Sequence, residues 1–236
     1  MIRVLDEKLF PVLVALTMVA IVASLGLIFF YAPVELTMGI VQKIFYVHVP
    51  AAMAAYAGFT LASVCSFLYL VKPHRHWDMA AVSGAEVGLL FCVYVLISGP
   101  LWGLKAWGKA WVWDPQLTAT FVLLLLYGSY VLLRTFSGND ERMRKIAAVL
   151  ATIAFVNIPI IHYAVRIWGG LHPVVEREGG DGLSDPIKLT LSVSMAAFLL
   201  LFAVLTWLRF RVRWKEHEID VLHLELEDIA RTREAS

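Results

Sequence analysis

LFPVLVALTMVAIVASLGLIFFYAPV, residues 9–34, runs without a single Asp, Glu, Lys or Arg. In hydrocarbon every backbone N–H and C=O must be satisfied from within, which a helix does, and about 20 apolar residues of helix cross the bilayer core. Working outward, comparable charge-free runs occupy 44–71, 115–133, 146–165 and 189–208, and a sixth, 79–104, is interrupted only by Glu86. With 60% hydrophobic and 17% charged residues in 236, the chain departs from the composition of water-soluble domains. These runs predict an all-α integral membrane protein of six transmembrane helices.

Six crossings place both termini on one side. The segments on that side (the N-terminus, 72–78, 134–145 and the C-terminal tail) hold 14 of the 20 Lys and Arg residues, and 35–43, 105–114 and 166–188 hold the other six, so the termini are expected in the cytoplasm. The first run is longer than a cleaved signal's core and lacks a small-residue cleavage site, so it reads as a retained anchor. RFRVRWK, 209–215, reads as an inner-face anchor on the lipid bilayer, and a net charge of +1 points to no nucleic-acid partner. Two parts are expected: residues 1–210 as the membrane domain, and 211–236 as a cytoplasmic amphipathic tail with Ile219, Leu222, Leu226 and Ile229 on one stripe. That stripe suits a protein partner, the membrane surface or the protein's own inner loops. Cys65 and Cys92 lie inside predicted helices, outside any C-x-x-C or C-x-x-C-H motif, and read as packing residues.

Between the third and fourth helices lies WGLKAWGKAWVWDPQLT, residues 102–118, with Trp102, Trp107, Trp111 and Trp113. Tryptophan favours bilayer interfaces, but belt residues scatter over many helix ends, whereas these four share one loop. Asp114-Pro115 is a helix start, with the carboxylate capping free amides and Pro115 at the first helical position. Gly103 and Gly108 are expected to let the backbone turn and lie close to a ligand. The loop reads as a platform for a flat apolar molecule.

Two histidines share its side of the membrane. His48 lies in KIFYVHVPAAM (43–53) at the outer end of the second helix, with Pro50 close to its first turn, and His172 in IWGGLHPVVE (167–176) in the third outer loop, where Pro173 restricts its backbone. Either alone is ordinarily a hydrogen-bonding side chain. Together, with the tryptophans between them, they suit haem, whose iron takes one axial ligand from each face. His162 is the alternative second ligand. Arg166 and Arg177 are candidate partners for haem propionates, Arg177 being flanked by Glu176 and Glu178 and therefore better read as solvated. Glu86, the acid inside a span, and Asn157 with Pro159, a packing and kink pair, complete the polar inventory.

W-G-K-A-W-V-W-D-P-Q-L-T, 107–118, resembles the tryptophan-rich "WWD" signature of the haem-handling proteins of cytochrome c maturation; the length, six spans and ending Leu117-Thr118 are similar to the haem exporter protein C family, CcmC. His48 in Y-V-H-V-P-A-A matches that family's first outer histidine segment and His172 its last-loop histidine. Gln116 stands where the family commonly has arginine. The resemblance implies a cell inner membrane protein, not an enzyme, whose WWD loop faces the periplasm. It implies haem b as a non-covalent, transient cargo, ligated by His48 and His172 and held by Trp102, Trp107, Trp111, Trp113, Asp114 and Arg166. It further implies delivery to the periplasmic haem chaperone CcmE and assembly with CcmA, CcmB and CcmD in an ATP-driven ABC transporter complex. The chain has no G-x-x-x-x-G-K-[ST] loop, so ATP hydrolysis falls to a partner. Two other classes compete: a b-type electron-transfer subunit, which ordinarily holds haem deep between helices, and a transporter moving haem through its own core.

Overall fold

In a computed structural model, which describes residues 2–136, 140–172 and 183–234, the chain is helical with no strand among those residues. Helices α1 (Ile2–Gly26), α2 (Phe45–Val71), α3 (Arg75–Trp107), α4 (Pro115–Phe136), α5 (Glu141–Ala154), α6 (Asn157–Trp168) and α7 (Asp185–Glu234) provide six spans, because α5 and α6 share one. All six are long and apolar enough to cross a membrane. The structure thus bears out the six-span all-helical expectation.

The break inside the fifth span has a local cause. Pro159 has no N–H to donate and its ring crowds the carbonyl four residues back, at Phe155. There the ladder tightens into three-residue bonds, Val156 N to Ile153 O at 3.1 Å and Ile158 N to Phe155 O at 3.0 Å. Asn157 Nδ2 donates to Ala119 O of α4 at 2.7 Å, so the offset helix is pinned to its neighbour.

Packing is closest between α2 and α3, whose facing residues are small. A β-carbon on Gly58 would lie 2.7 Å from Gly84 O and from Gly88 Cα, and one on Gly84 would lie 2.9 Å from Gly58 O. Apolar side chains gain little by leaving lipid for protein, so helices associate where small residues let backbones approach. Beside this seam Phe59 stacks on Tyr127 with centroids 4.1 Å apart, and Tyr127 OH lies 2.6 Å from Ser63 Oγ, which donates to Ala151 O at 2.7 Å. Three spans thereby share one buried polar knot. The outermost helix, α1, packs on α7 with a Ser24–Ser194 hydroxyl contact of 2.8 Å.

The basic end of the bundle is tied by ions. Arg134 of α4 meets the buried Asp78 of α3 at 2.6 Å. Arg209 and Arg213, one turn apart on α7, both grip Glu86 of α3 at 2.5 Å, and this explains the acid inside a span: its partners lie in the RFRVRWK patch. Beyond that patch α7 continues unbroken. Its 50 residues are about 75 Å long, roughly two and a half times the hydrocarbon thickness, so its last turns project from the bundle. Arg75 Nη2 and His217 Nδ1, 3.1 Å apart, hold the first of them, while Ile219, Leu222, Leu226 and Ile229 remain exposed.

Candidate functional site

At the opposite end the tryptophan segment is not the continuous loop that its composition suggests. α3 runs on through Trp107, so Trp102 and Trp107 are helical, and Gly108, with φ +70°, closes the helix in the left-handed conformation. Only 108–114 form the loop. Gly103 makes no turn: a β-carbon there would stand 2.9 Å from the Trp107 ring, so its role is to let that indole lie flat along its own helix.

α4 begins at Pro115, as the Asp-Pro pair predicts. Asp114 is buried, and its carboxylate serves two backbone amides: Oδ1 accepts from Leu117 N at 2.8 Å, and Oδ2 from His172 N at 3.3 Å. Gly170, at φ +149°, lets the segment after α6 pass so closely that a β-carbon there would lie 3.1 Å from Asp114 Oδ2. One carboxylate therefore starts a helix and anchors the neighbouring loop.

A cavity of about 440 Å³ opens here between α2, α3, α4, α6 and α7, within the ~300–1,000 Å³ typical of small-molecule sites. His48, Trp102, Trp107, Trp111, Arg166 and His172 all line it, as do His162 and Gln116. Its deeper wall is apolar, formed by Tyr56, Cys92, Leu123 and Met195. Trp113 and Asp114 do not line it. Trp113 is 72% exposed and packs edge-on against Trp111 and Phe121, while Asp114 sits behind the wall. Pro173 and Arg177 lie outside the described residues.

The aromatic surfaces are braced by each other. Trp107 meets Trp102 edge-on at 5.5 Å and the His172 ring at 6.2 Å, and Trp102 Nε1 donates to Gln42 Oε1 at 3.3 Å. His48, half-buried in the first turn of α2, has Nδ1 2.8 Å from Ser98 Oγ. Burial lowers the His172 pKa from its ordinary 6.5, opposed by the nearby Asp114 charge, so its imidazole is neutral at neutral pH. Neutral imidazole is the metal-binding form. Two buried polar atoms among the lining residues, Trp111 Nε1 and His172 Nδ1, have no hydrogen-bond partner among the described residues. Such atoms cost about 1–3 kcal/mol each when left alone.

The fold and this site define a polytopic helical membrane protein with a histidine-bearing, tryptophan-walled cavity at one end. Residues 1–225 match the family model described as Heme exporter protein C. Proteins named Heme exporter protein C from Rhodobacter capsulatus, Escherichia coli K12 and Paracoccus denitrificans are 31%, 36% and 31% identical to the chain. The alignments cover 91%, 78% and 82% of this chain and 90%, 74% and 81% of those relatives, respectively. The chain belongs to the heme exporter protein C family.

Proposed function

We propose that this protein holds haem in the tryptophan-walled cavity, between His48 and His172, and passes it on for c-type cytochrome formation. The observation that carries the reading is the convergence of two histidines from distant segments on one apolar, indole-lined cavity. A porphyrin-bound iron has two axial positions, which His48 and His172 suffice to fill. Trp102, Trp107 and Trp111 supply flat apolar contact, and the Trp111 N–H and the Arg166 guanidinium suit the carboxylates of the porphyrin edge. Asp114 acts from behind, by placing the His172 backbone. His162, in the same wall, is the alternative ligand.

The two axial ligands are held differently. His48 stands on a helix with its ring hydrogen-bonded, whereas His172 stands on a loop, fixed through its backbone amide, with Nδ1 unpartnered among the described residues. His172 is therefore the bond that yields on handover. The acceptor in this reading is the periplasmic haem chaperone CcmE, with the WWD loop on the periplasmic side of the inner membrane. CcmA, CcmB and CcmD are the complex partners, and an ATPase subunit supplies the energy. Residues 1–210 handle haem b as a transient, non-covalent cargo, 211–236 form the cytoplasmic tail, and the chain itself catalyses no covalent change.

The test is transfer. Full-length protein loaded with haem is mixed with the haem-free chaperone, and haem is followed between the two after separation. Wild type is expected to hand it over, and His48→Ala and His172→Ala to fail at loading. Full loading and full delivery by both variants would refute the reading.

A further inference from the structure

Behind His48, away from the cavity wall, lies Ser98 of α3. It is buried, and its Oγ is 2.8 Å from His48 Nδ1 and 2.9 Å from Tyr94 O. A serine hydroxyl has one proton to give and two lone pairs to accept with. With that proton directed to the Tyr94 carbonyl, the oxygen faces His48 as an acceptor, so Nδ1 carries the ring hydrogen and Nε2 keeps its lone pair. The next residue reinforces the placement. A β-carbon on Gly99 would lie 3.3 Å from His48 Cε1, so the ring rests against a glycine on the same helix that supplies its hydrogen bond.

We propose that Ser98 is the positioning residue for His48: by accepting the Nδ1 hydrogen it fixes the tautomer and angle of the ring that presents Nε2 to the haem iron. This rests on the reading of His48 as an axial ligand. A partner on the distal nitrogen raises the basicity of a ligating imidazole, and its loss typically weakens metal binding 10–100-fold. The more basic ligand also favours ferric over ferrous haem, so removing the hydroxyl raises the midpoint potential.

The experiment compares Ser98→Ala, Ser98→Thr and His48→Ala in the full chain, purified in detergent and titrated with haemin. Haem retention and the midpoint potential are read for each. The expected result is a 10–100-fold loss of haem affinity and a more positive potential in Ser98→Ala, with both restored in Ser98→Thr, whose hydroxyl can make the same two contacts. Wild-type affinity and potential in Ser98→Ala, while His48→Ala loses haem, would overturn the role of Ser98 and leave the site reading standing. Equal losses in the Ala and Thr variants would assign Ser98 to packing, and also overturn it. Unchanged haem binding in His48→Ala would remove the site reading, and this proposal with it.

Discussion

Asp114 links the start of α4 and the segment after α6 through one carboxylate, and substitution can separate its two bonds. Asn is as good an N-cap as Asp, so Asp114→Asn keeps the acceptor for Leu117 N, 2.8 Å away, and the start of α4. It has no second acceptor, however, and its NH₂ would face the His172 amide where Oδ2 now accepts at 3.3 Å. That bond is long, so its loss belongs at the lower end of the range for bonds to charged groups, about 1.5 kcal/mol. Asp114→Ala loses both bonds, adding the cost of an absent cap, roughly 1 kcal/mol, for a total of about 2–3 kcal/mol. Since the amide of His172 is what is released, haem affinity should fall about tenfold in the Asn variant, following the 1.4 kcal/mol per decade relation. Thermal denaturation of the detergent-solubilised protein and haemin titration measure the two effects side by side. An Asn variant with wild-type haem affinity, or an Ala variant no less stable than the Asn one, would refute the linkage.

A second prediction concerns the α2–α3 seam. Gly58→Ala puts a methyl 2.7 Å from backbone atoms of Gly84 and Gly88, which cannot rotate away, so the helices must separate at a cost of about 1–3 kcal/mol or more; thermal stability of the purified variant should fall, and an unchanged midpoint would show that the seam is looser than described. A third concerns pH. Burial lowers the His172 pKa from its ordinary 6.5, so protonation, which releases iron, takes place at lower pH than for a free imidazole; the folded site disfavours the proton relative to the unfolded chain, so the site is weakened at acid pH and not at alkaline pH. Haem retention across a pH series should thus hold at neutral and alkaline pH and decline on the acid side with a midpoint below the ordinary histidine value of about 6.5, and a decline centred at 6.5 or higher would contradict the burial argument.

The spans were legible because hydrocarbon penalises charge at every position, so 9–34 and its counterparts announce themselves without any tertiary information. The extension of α3 through Trp107 was not, since Gly103 and Lys105 look like loop residues; what keeps that stretch helical is an indole packed over a glycine four residues back, a contact visible only in three dimensions. Asp114-Pro115 was readable as a cap, but its second bond, to a loop 58 residues away, was not. Trp111 and Trp113 look alike in sequence, yet one lines the cavity and the other faces outward, because two residues of irregular backbone carry no periodicity from which to assign sides. Glu86 looked solitary, because Arg209 and Arg213 stand more than 120 residues along the chain. Ser98 gave no sequence signal, since a serine in a membrane helix usually satisfies itself on the preceding turn.

The most direct measurement is the visible absorption spectrum of the purified protein with haem, oxidised and reduced, for wild type beside His48→Ala and His172→Ala. A six-coordinate low-spin spectrum in wild type, converted to five-coordinate or lost in each variant, is the predicted result. Spectra indifferent to both substitutions would contradict the placement of haem iron between these two histidines.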